Sequence, residues 1–433
     1  MTAFEEFLKE FPPGSRQKIK QAWNALPELV RLELETLIAS VPLQPQLLRR
    51  LIDISLRQFK MVTGKKRKIA IIGPANVGKS TLYNQLIRSK TDRAEVGPLP
   101  GTTRVNQEAD AGFFSLVDTP GADAVGEVGE AEKQQALDAA RQADFIVMVF
   151  DAIQGIKKTE QELFDELTAL EKPFLVVLNK IDLVKHAERS VIEKVADNLH
   201  LEPDQIMATN ARDGHNVERI VIAMAKTDPE IIAALGKALP EFRWQLAWLT
   251  ISGAAATTAL VGALPLPVVD FIPLIVVQTS MVLSIARIYA YKITLERAKE
   301  LIATFGMGFL GRALFQQLSK LGGLPGDVLA SAIAASTTAS MGYAAIVWFE
   351  KGERLTNESL QKLTRELTDS LLKAFRSRGK QKMSKASLRQ VIQSALERAP
   401  IAKDRSLIDL AVKTESLPSP AEMPVAEPSE LNG

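Results

Sequence analysis

Gly73-Pro74-Ala75-Asn76-Val77-Gly78-Lys79-Ser80 constrains the fold of this chain more than any other stretch. It satisfies the pattern G-x-x-x-x-G-K-[ST], which works only between a strand and a helix. Both flanks are present. Lys68-Ile69-Ala70-Ile71-Ile72 reads as a short buried strand, and Thr81-Leu82-Tyr83-Asn84-Gln85-Leu86-Ile87 opens a helix. A loop so placed aims backbone N–H groups and the positive end of a helix dipole at an anion. Gly73 and Gly78 permit the turn and let a phosphate approach the backbone. Lys79 is placed to reach the β- and γ-phosphates of a nucleotide, and the Ser80 hydroxyl to ligate Mg²⁺. The loop backbone from Asn76 and Val77 to Thr81 completes the cradle. The alternative, a glycine turn matching by chance, is disfavoured by the strand–loop–helix context.

Three further motifs follow in order. Phe114-Ser115-Leu116-Val117-Asp118 is an apolar strand ending in an acid, and it continues as Thr119-Pro120-Gly121. An aspartate at a strand tip beside such a loop can hold Mg²⁺, and the Gly121 amide is free to meet a γ-phosphate. Pro100-Gly101-Thr102-Thr103-Arg104 lies between. Thr103, or Thr102, offers a hydroxyl to Mg²⁺ and an amide to the γ-phosphate, although Gly-Thr-Thr alone is also an ordinary turn. Lys79, Thr103, Asp118 and Gly121 are thus the catalytic candidates, with Ser80, Thr103 and Asp118 as Mg²⁺ ligands.

Phe174-Leu175-Val176-Val177-Leu178 is another buried strand, ending in Asn179-Lys180-Ile181-Asp182. Asp182 can accept hydrogen bonds from guanine N1–H and the 2-amino group. Adenine lacks both donors on that edge, so the contact discriminates strongly. Lys180 is expected to pack along the base, and Asn179 to tie this loop to the first. In Thr209-Asn210-Ala211-Arg212-Asp213-Gly214, the Ala211 amide is expected on the guanine oxygen, flanked by Asn210 and Arg212.

The four motifs, each at the carboxyl end of a strand where open α/β sheets bind ligands, resemble the Era, EngA and TrmE group of translation-factor-like GTPases. The resemblance covers roughly residues 66–228. It includes Ala139-Ala140-Arg141-Gln142-Ala143-Asp144 leading into Phe145-Ile146-Val147-Met148-Val149-Phe150-Asp151-Ala152. It implies a mostly parallel sheet with helices on both faces, binding of GTP and GDP, and Mg²⁺-dependent hydrolysis. Position 75 is Ala where the group usually carries Pro, and position 210 is Asn where it usually carries Ser. Position 122 is Ala, which cannot orient a water as the glutamine of many small GTPases does. The group also implies K⁺ as a charge-neutralising element with Asn76 among its ligands. An asparagine here equally fits a loop residue bonding its own backbone. Asp123 to Lys133 is expected to be a mobile acidic second switch, with Glu127, Glu130 and Glu132 as candidates for positioning water or as plain solvated charges.

A chain of 433 residues implies two or three domains. With no cysteine, disulfides and thiolate metal sites are excluded. His186, His200 and His215 read as surface residues, and the polar N-terminus is not a secretory signal. Residues 1–65 are expected to be helical, 66–228 the nucleotide domain, 229–243 a linker, 351–413 basic and helical, and 414–433 a disordered tail.

Residues 244–350 differ in kind. Trp244–Leu264, Phe271–Ala286 and Val328–Phe349 carry no charged residue. A bilayer span needs about 20 apolar residues. With the nucleotide domain and the cationic Ser370–Leu396 segment both cytosolic, the number of spans should be even, and a hairpin of Trp244–Leu264 with Phe271–Tyr291 satisfies this. The leading expectation is therefore a membrane-tethered GTPase switch facing the cytoplasm, bacterial or plastid, with lipid as a partner. Gly262-Ala263-Leu264-Pro265-Leu266-Pro267, Asp270 and Ser284-Ile285-Ala286-Arg287-Ile288-Tyr289 resemble the YcjF family. The basic Ser370–Leu396 segment is read as lying on an anionic membrane surface, as a solvated helix face or as an RNA contact. Two other readings stand beside the tether: a soluble Era-like GTPase acting in ribosome assembly or RNA binding, and a dynamin-like membrane remodeller. Nucleic acid is the less favoured partner, because aromatic residues for base stacking are few.

Overall fold

The computed structural model describes residues 67–87, 113–119, 127–184, 187–262, 271–291, 326–351, 353–377, 385–399 and 414–416, with six single positions before residue 36. The chain divides into two compact units, one of Thr63–Leu246 and one of Ala247–Gly433 with Met1–Val62.

The first unit is built on five parallel strands: β1 (Ile69–Pro74), β2 (Phe114–Thr119), β3 (Phe145–Asp151), β4 (Phe174–Asn179) and β5 (Ile206–Ala208). Their order is β2-β1-β3-β4-β5. Near-continuous apolar runs such as Ile69-Ala70-Ile71-Ile72 and Phe145-Ile146-Val147-Met148-Val149-Phe150 suit strands covered on both faces, and all of these residues are buried. Ala70, Ile72, Ile146, Met148, Phe150, Val176 and Leu178 share one core with Ala136, Leu163 and Val195. Those last three come from α2 (Glu127–Gln142), α3 (Lys158–Thr168) and α4 (Glu188–Leu199). By strand alternation Ile69, Ile71, Val147 and Val149 face the other side. There α1 (Lys79–Leu86) packs against α5 (Val217–Thr227).

The helix ends are held by side chains from the next elements. Lys172 donates to the carbonyls of Ala140 (2.9 Å), Arg141 and Ala143 at the end of α2, where a cation suits the dipole. Arg67 pairs with Asp144 and Glu230. Residues 229–243, expected to be a linker, hold α6 (Ile232–Ala238), and Ile231, Leu235 and Leu239 are fully buried. Helix α2 starts at Glu127, so part of the stretch expected as a mobile acidic loop is helical.

The second unit is helical: α7 (Arg243–Gly262, which starts in the first unit), α8 (Phe271–Ile288), α9 (Gly326–Lys351), α10 (Asn357–Arg376) and α11 (Lys385–Arg398). A short antiparallel pair joins β6 (Glu353–Leu355) to β7 (Thr414–Ser416). The tail expected from about residue 414 therefore begins as a paired strand. Small residues let the helices approach, and their hydroxyls bond across the core. Thr338 Oγ1 donates to Thr258 Oγ1 (3.0 Å) and accepts from Gln278 Nε2 (3.1 Å). Ser336 and Thr368 hydroxyls lie 2.6 Å apart. Trp248 Nε1 donates to Leu396 O at 3.1 Å.

Among the described residues one helix is long and apolar enough to cross a membrane, Val328–Lys351, with 94% of its apolar window buried inside the protein. Among the described residues neither arm of the expected hairpin, Trp244–Leu264 or Phe271–Tyr291, is such a helix; the second contributes the shorter apolar helix Val277–Ile288. The apolar residues of the basic segment, Leu371, Leu372, Phe375, Leu388, Ile392 and Leu396, are buried in the protein and not presented to a surface. The 265–270 break and the residues beyond Ser416 lie outside the described residues.

Candidate nucleotide-binding site

The strand order reverses direction from β1 between β2 and β3, and such a switch point opens a crevice at the carboxyl ends of the strands. The 73–80 loop sits there. Gly78 has φ +93° and Asn76 φ +64°, and the chain enters α1 directly at Lys79. No side chain caps this helix start, so its orphan N–H groups face the loop, which is the arrangement that receives an anion. Lys79, only 4% exposed, donates Nζ to the carbonyls of Gly73 (2.8 Å) and Pro74 (2.6 Å). The ammonium is thus held across the mouth of the loop. Ser80 and Thr81 are half-buried on the first turn, and Val77 is buried beneath it.

Asp118 lies opposite Gly73 in the β1–β2 register, which puts the second motif level with the first. The backbone thus places Ser80 and Asp118 at the same edge of the sheet. A hydroxyl and a carboxylate are the hard oxygen donors that Mg²⁺ takes in small number beside several waters. Thr103 and Gly121 lie outside the described residues.

The base-reading motif is tied to the phosphate loop by Asn179. Its buried amide donates Nδ2–H to Val77 O (2.8 Å) and accepts at Oδ1 from Ala211 N–H (2.9 Å). One side chain therefore links three of the motifs. The Ala211 amide was expected to serve a guanine oxygen, but here it is engaged by Asn179. Asn210 orders its own loop, accepting from Arg212 N–H (3.0 Å) and donating to Asp213 Oδ2 (2.8 Å). That local job is what the Asn side chain does in place of Ser. Asp182 is half-exposed on the short turn after β4, and its neighbour Leu183 is exposed. Asn76 is exposed, and its carbonyl accepts from Lys180.

Two residues that the motif reading did not single out for this site belong to it. Asp151 ends β3 directly opposite Asn179 in the β3–β4 register. Its carboxylate, 2% exposed, pairs with Lys180 Nζ at 2.6 Å. The signal was available, since Phe150-Asp151 repeats the apolar-run-then-acid pattern of Val117-Asp118. Gln85 on α1 donates Nε2 to Arg212 O at 3.2 Å, joining the first helix to the last loop. Nothing in the sequence marks it.

Comparison with known proteins assigns the two halves separately. Residues 68–180 match a family described as 50S ribosome-binding GTPase. Residues 228–376 match a domain of unknown function, DUF697, and not the YcjF family in particular. Each match covers less than half of the chain. GTPase Der of Thermotoga sp. is 34% identical over 170 residues, 36% of this chain and 38% of that protein. GTPase Der of Acinetobacter baumannii is 37% identical over 152 residues, 34% of this chain and 32% of that protein. The chain thus spans well under half the length of these relatives. A crystal structure of a probable GTP-binding protein engB aligns with 26% identity and a TM-score of 0.31, covering 38% of this chain and 99% of that one. Taken with the parallel sheet and the loop at its switch point, the family and relative matches show a P-loop GTPase domain similar to the Era/Der group, followed by a distinct hydrophobic helical domain.

Proposed function

We propose that the chain is a GTP-binding switch that hydrolyses GTP slowly, with its helical C-terminal domain as the output. The observation that carries this is the Asn179 amide, bonded at once to the phosphate loop and to the 209–214 loop. A P-loop alone serves any nucleoside triphosphate, whereas this bridge fixes a base-reading loop against it. Lys79 and the amides of residues 76–81 would hold phosphates. Ser80, Thr103 and Asp118 would hold Mg²⁺, which supplies charge neutralisation at the β- and γ-oxygens when bound. Gly121 would sense the γ-phosphate, and Asn179, Lys180, Asp182 and the 210–212 loop would read guanine. Loss of the γ-phosphate would release the two switches and bias what the output domain contacts. Turnover without a partner should be on the order of 10⁻⁴–10⁻² s⁻¹. K⁺ in place of Na⁺ should raise it if Asn76 is an ion ligand.

The test is nucleotide binding by variants. Lys79→Ala should abolish GTP binding. Asp182→Asn should bind guanine nucleotides with little preference over adenine nucleotides, and an undiminished preference would refute the base assignment.

For the output we favour a soluble, ribosome- or RNA-linked role. The family description of the GTPase domain supports it, as does the burial of the apolar helix α9 within its own domain. GTP-dependent, salt-sensitive co-sedimentation with 50S subunits is expected. A membrane tether is the second reading, kept by the length of Val328–Lys351.

A further inference from the structure

Asp151 sits where two strand ends and two loops converge. It is the last residue of β3 and is 3% exposed. Both of its oxygens are committed. Oδ1 accepts the Ile153 N–H at 2.7 Å, which fixes the turn after the strand. Oδ2 accepts from Lys180 Nζ at 2.6 Å. Lys180 adopts a left-handed backbone, φ +61°, and its ammonium also reaches the Asn76 carbonyl at 2.6 Å. The adjacent backbone repeats the link, since Ala152 N–H donates to Asn179 O at 2.9 Å. A lysine stem carries four rotatable carbons and lies wherever its head is anchored. Here one anchor is a buried carboxylate and the other is a phosphate-loop carbonyl, so the stem is drawn across the gap between the two loops.

We propose that Asp151 is a positioning residue for nucleotide recognition. It holds the Lys180 side chain in the one orientation that lets its stem lie beside the base. This rests on the reading of Asn179–Asp182 as the guanine-binding loop. The ion pair stays strong because one partner is almost wholly buried, and water competes poorly for it. A neutral amide at position 151 keeps the shape and can still accept the Ile153 N–H with its single oxygen. Its NH₂ group then faces the ammonium, donor against donor, and Lys180 keeps only the Asn76 carbonyl as an anchor.

The full chain is titrated with fluorescently labelled GDP. Asp151→Asn should weaken binding about ten- to a hundredfold, the range for losing a charged hydrogen bond. The loss should fall on GDP affinity and on the KM for GTP more than on kcat, because the phosphate loop retains its own hydrogen bonds. The decisive readout is the double variant. In a Lys180→Met background, Asp151→Asn should cost less than about twofold further, since the group it positions is gone. Equal losses in both backgrounds, or no loss in the single variant, would overturn the role. A Lys180→Met change that leaves GDP binding intact would do the same. If the unmodified chain takes up no guanine nucleotide while binding adenine nucleotides, the guanine reading fails, and this role fails with it. Melting curves of each variant separate a folding defect from a binding one.

Discussion

A methyl group added at Gly73 would overlap the Val149 carbonyl of the neighbouring strand. The end of β1 runs that close to β3 because the loop must turn away at the level of the switch point. Gly73→Ala should therefore destabilise the domain by about 1–3 kcal/mol, the usual range for overpacking, read as a lower urea midpoint. Gly78→Ala is different. Its φ of +93° disfavours any side chain, and a Cβ there would meet the Asn179 amide. That substitution should also break the bond from Asn179 to Val77, so nucleotide affinity should fall further than stability does. The motif pattern in the sequence marked both glycines, but not what each one touches. Asp151 and Gln85 show the limit more sharply. Their partners, Lys180 and Arg212, lie 29 and 127 positions away in the chain, and it is the strand order β1-β3-β4-β5 that brings them together.

Helix α3 carries its own test. Lys157 N–H donates to Glu160 Oε2 at 3.1 Å, closing the first turn, and Glu160 is 6% exposed beside Pro74, Met148 and Phe150. Burial raises its pKa above the ordinary value of 4.5, and the Lys157 N–H only partly offsets this. The folded state thus holds that proton more tightly than the unfolded chain does. The stability it contributes is complete below pH 4.5 and is lost as the pH rises through the folded pKa. Glu160→Gln keeps an acceptor for the turn and removes the charge. It should be more stable than the parent at pH 7 and lose that advantage near pH 4, measured by melting temperature across the range. A difference independent of pH would exclude burial of the charge as its origin. At this scale the sequence pattern was sufficient for β1 to β4, because each is a continuous apolar run bounded by polar residues, but not for β5, whose three residues Ile206–Ala208 are too short to make such a run. It was insufficient for residues 229–243, where Pro229 and Pro240 suggest a break but instead start short helical turns.

On the scale of the molecule, an uncharged run is consistent with lipid or with a protein core, and the neighbours of α9 favour the core reading proposed above. The middle of α9 is bonded through Ser336 to Thr368 on α10. Helix α10 turns Leu363, Leu367, Leu371 and Phe375 inward and leaves Lys362, Arg365, Glu366, Asp369 and Lys373 exposed. A bilayer around α9 would have to meet those charges near its centre, at roughly 2.5–3.5 kcal/mol for each Arg, Lys or Asp. In water the same face costs nothing. The sequence could not reveal this, since the shielding helix lies outside the apolar run that it covers. The hydroxyl bonds of the core support the same conclusion. Thr338→Val would leave the Gln278 amide without the hydroxyl it donates to, and should cost about 1–3 kcal/mol of stability in the full chain. The full chain should accordingly be recovered without detergent, monodisperse, and absent from carbonate-washed membranes. Retention in the washed pellet, with release only by detergent, would mean that α10 and α11 can leave the bundle and that α9 reaches lipid. The switch would then act at a membrane and not on the ribosome.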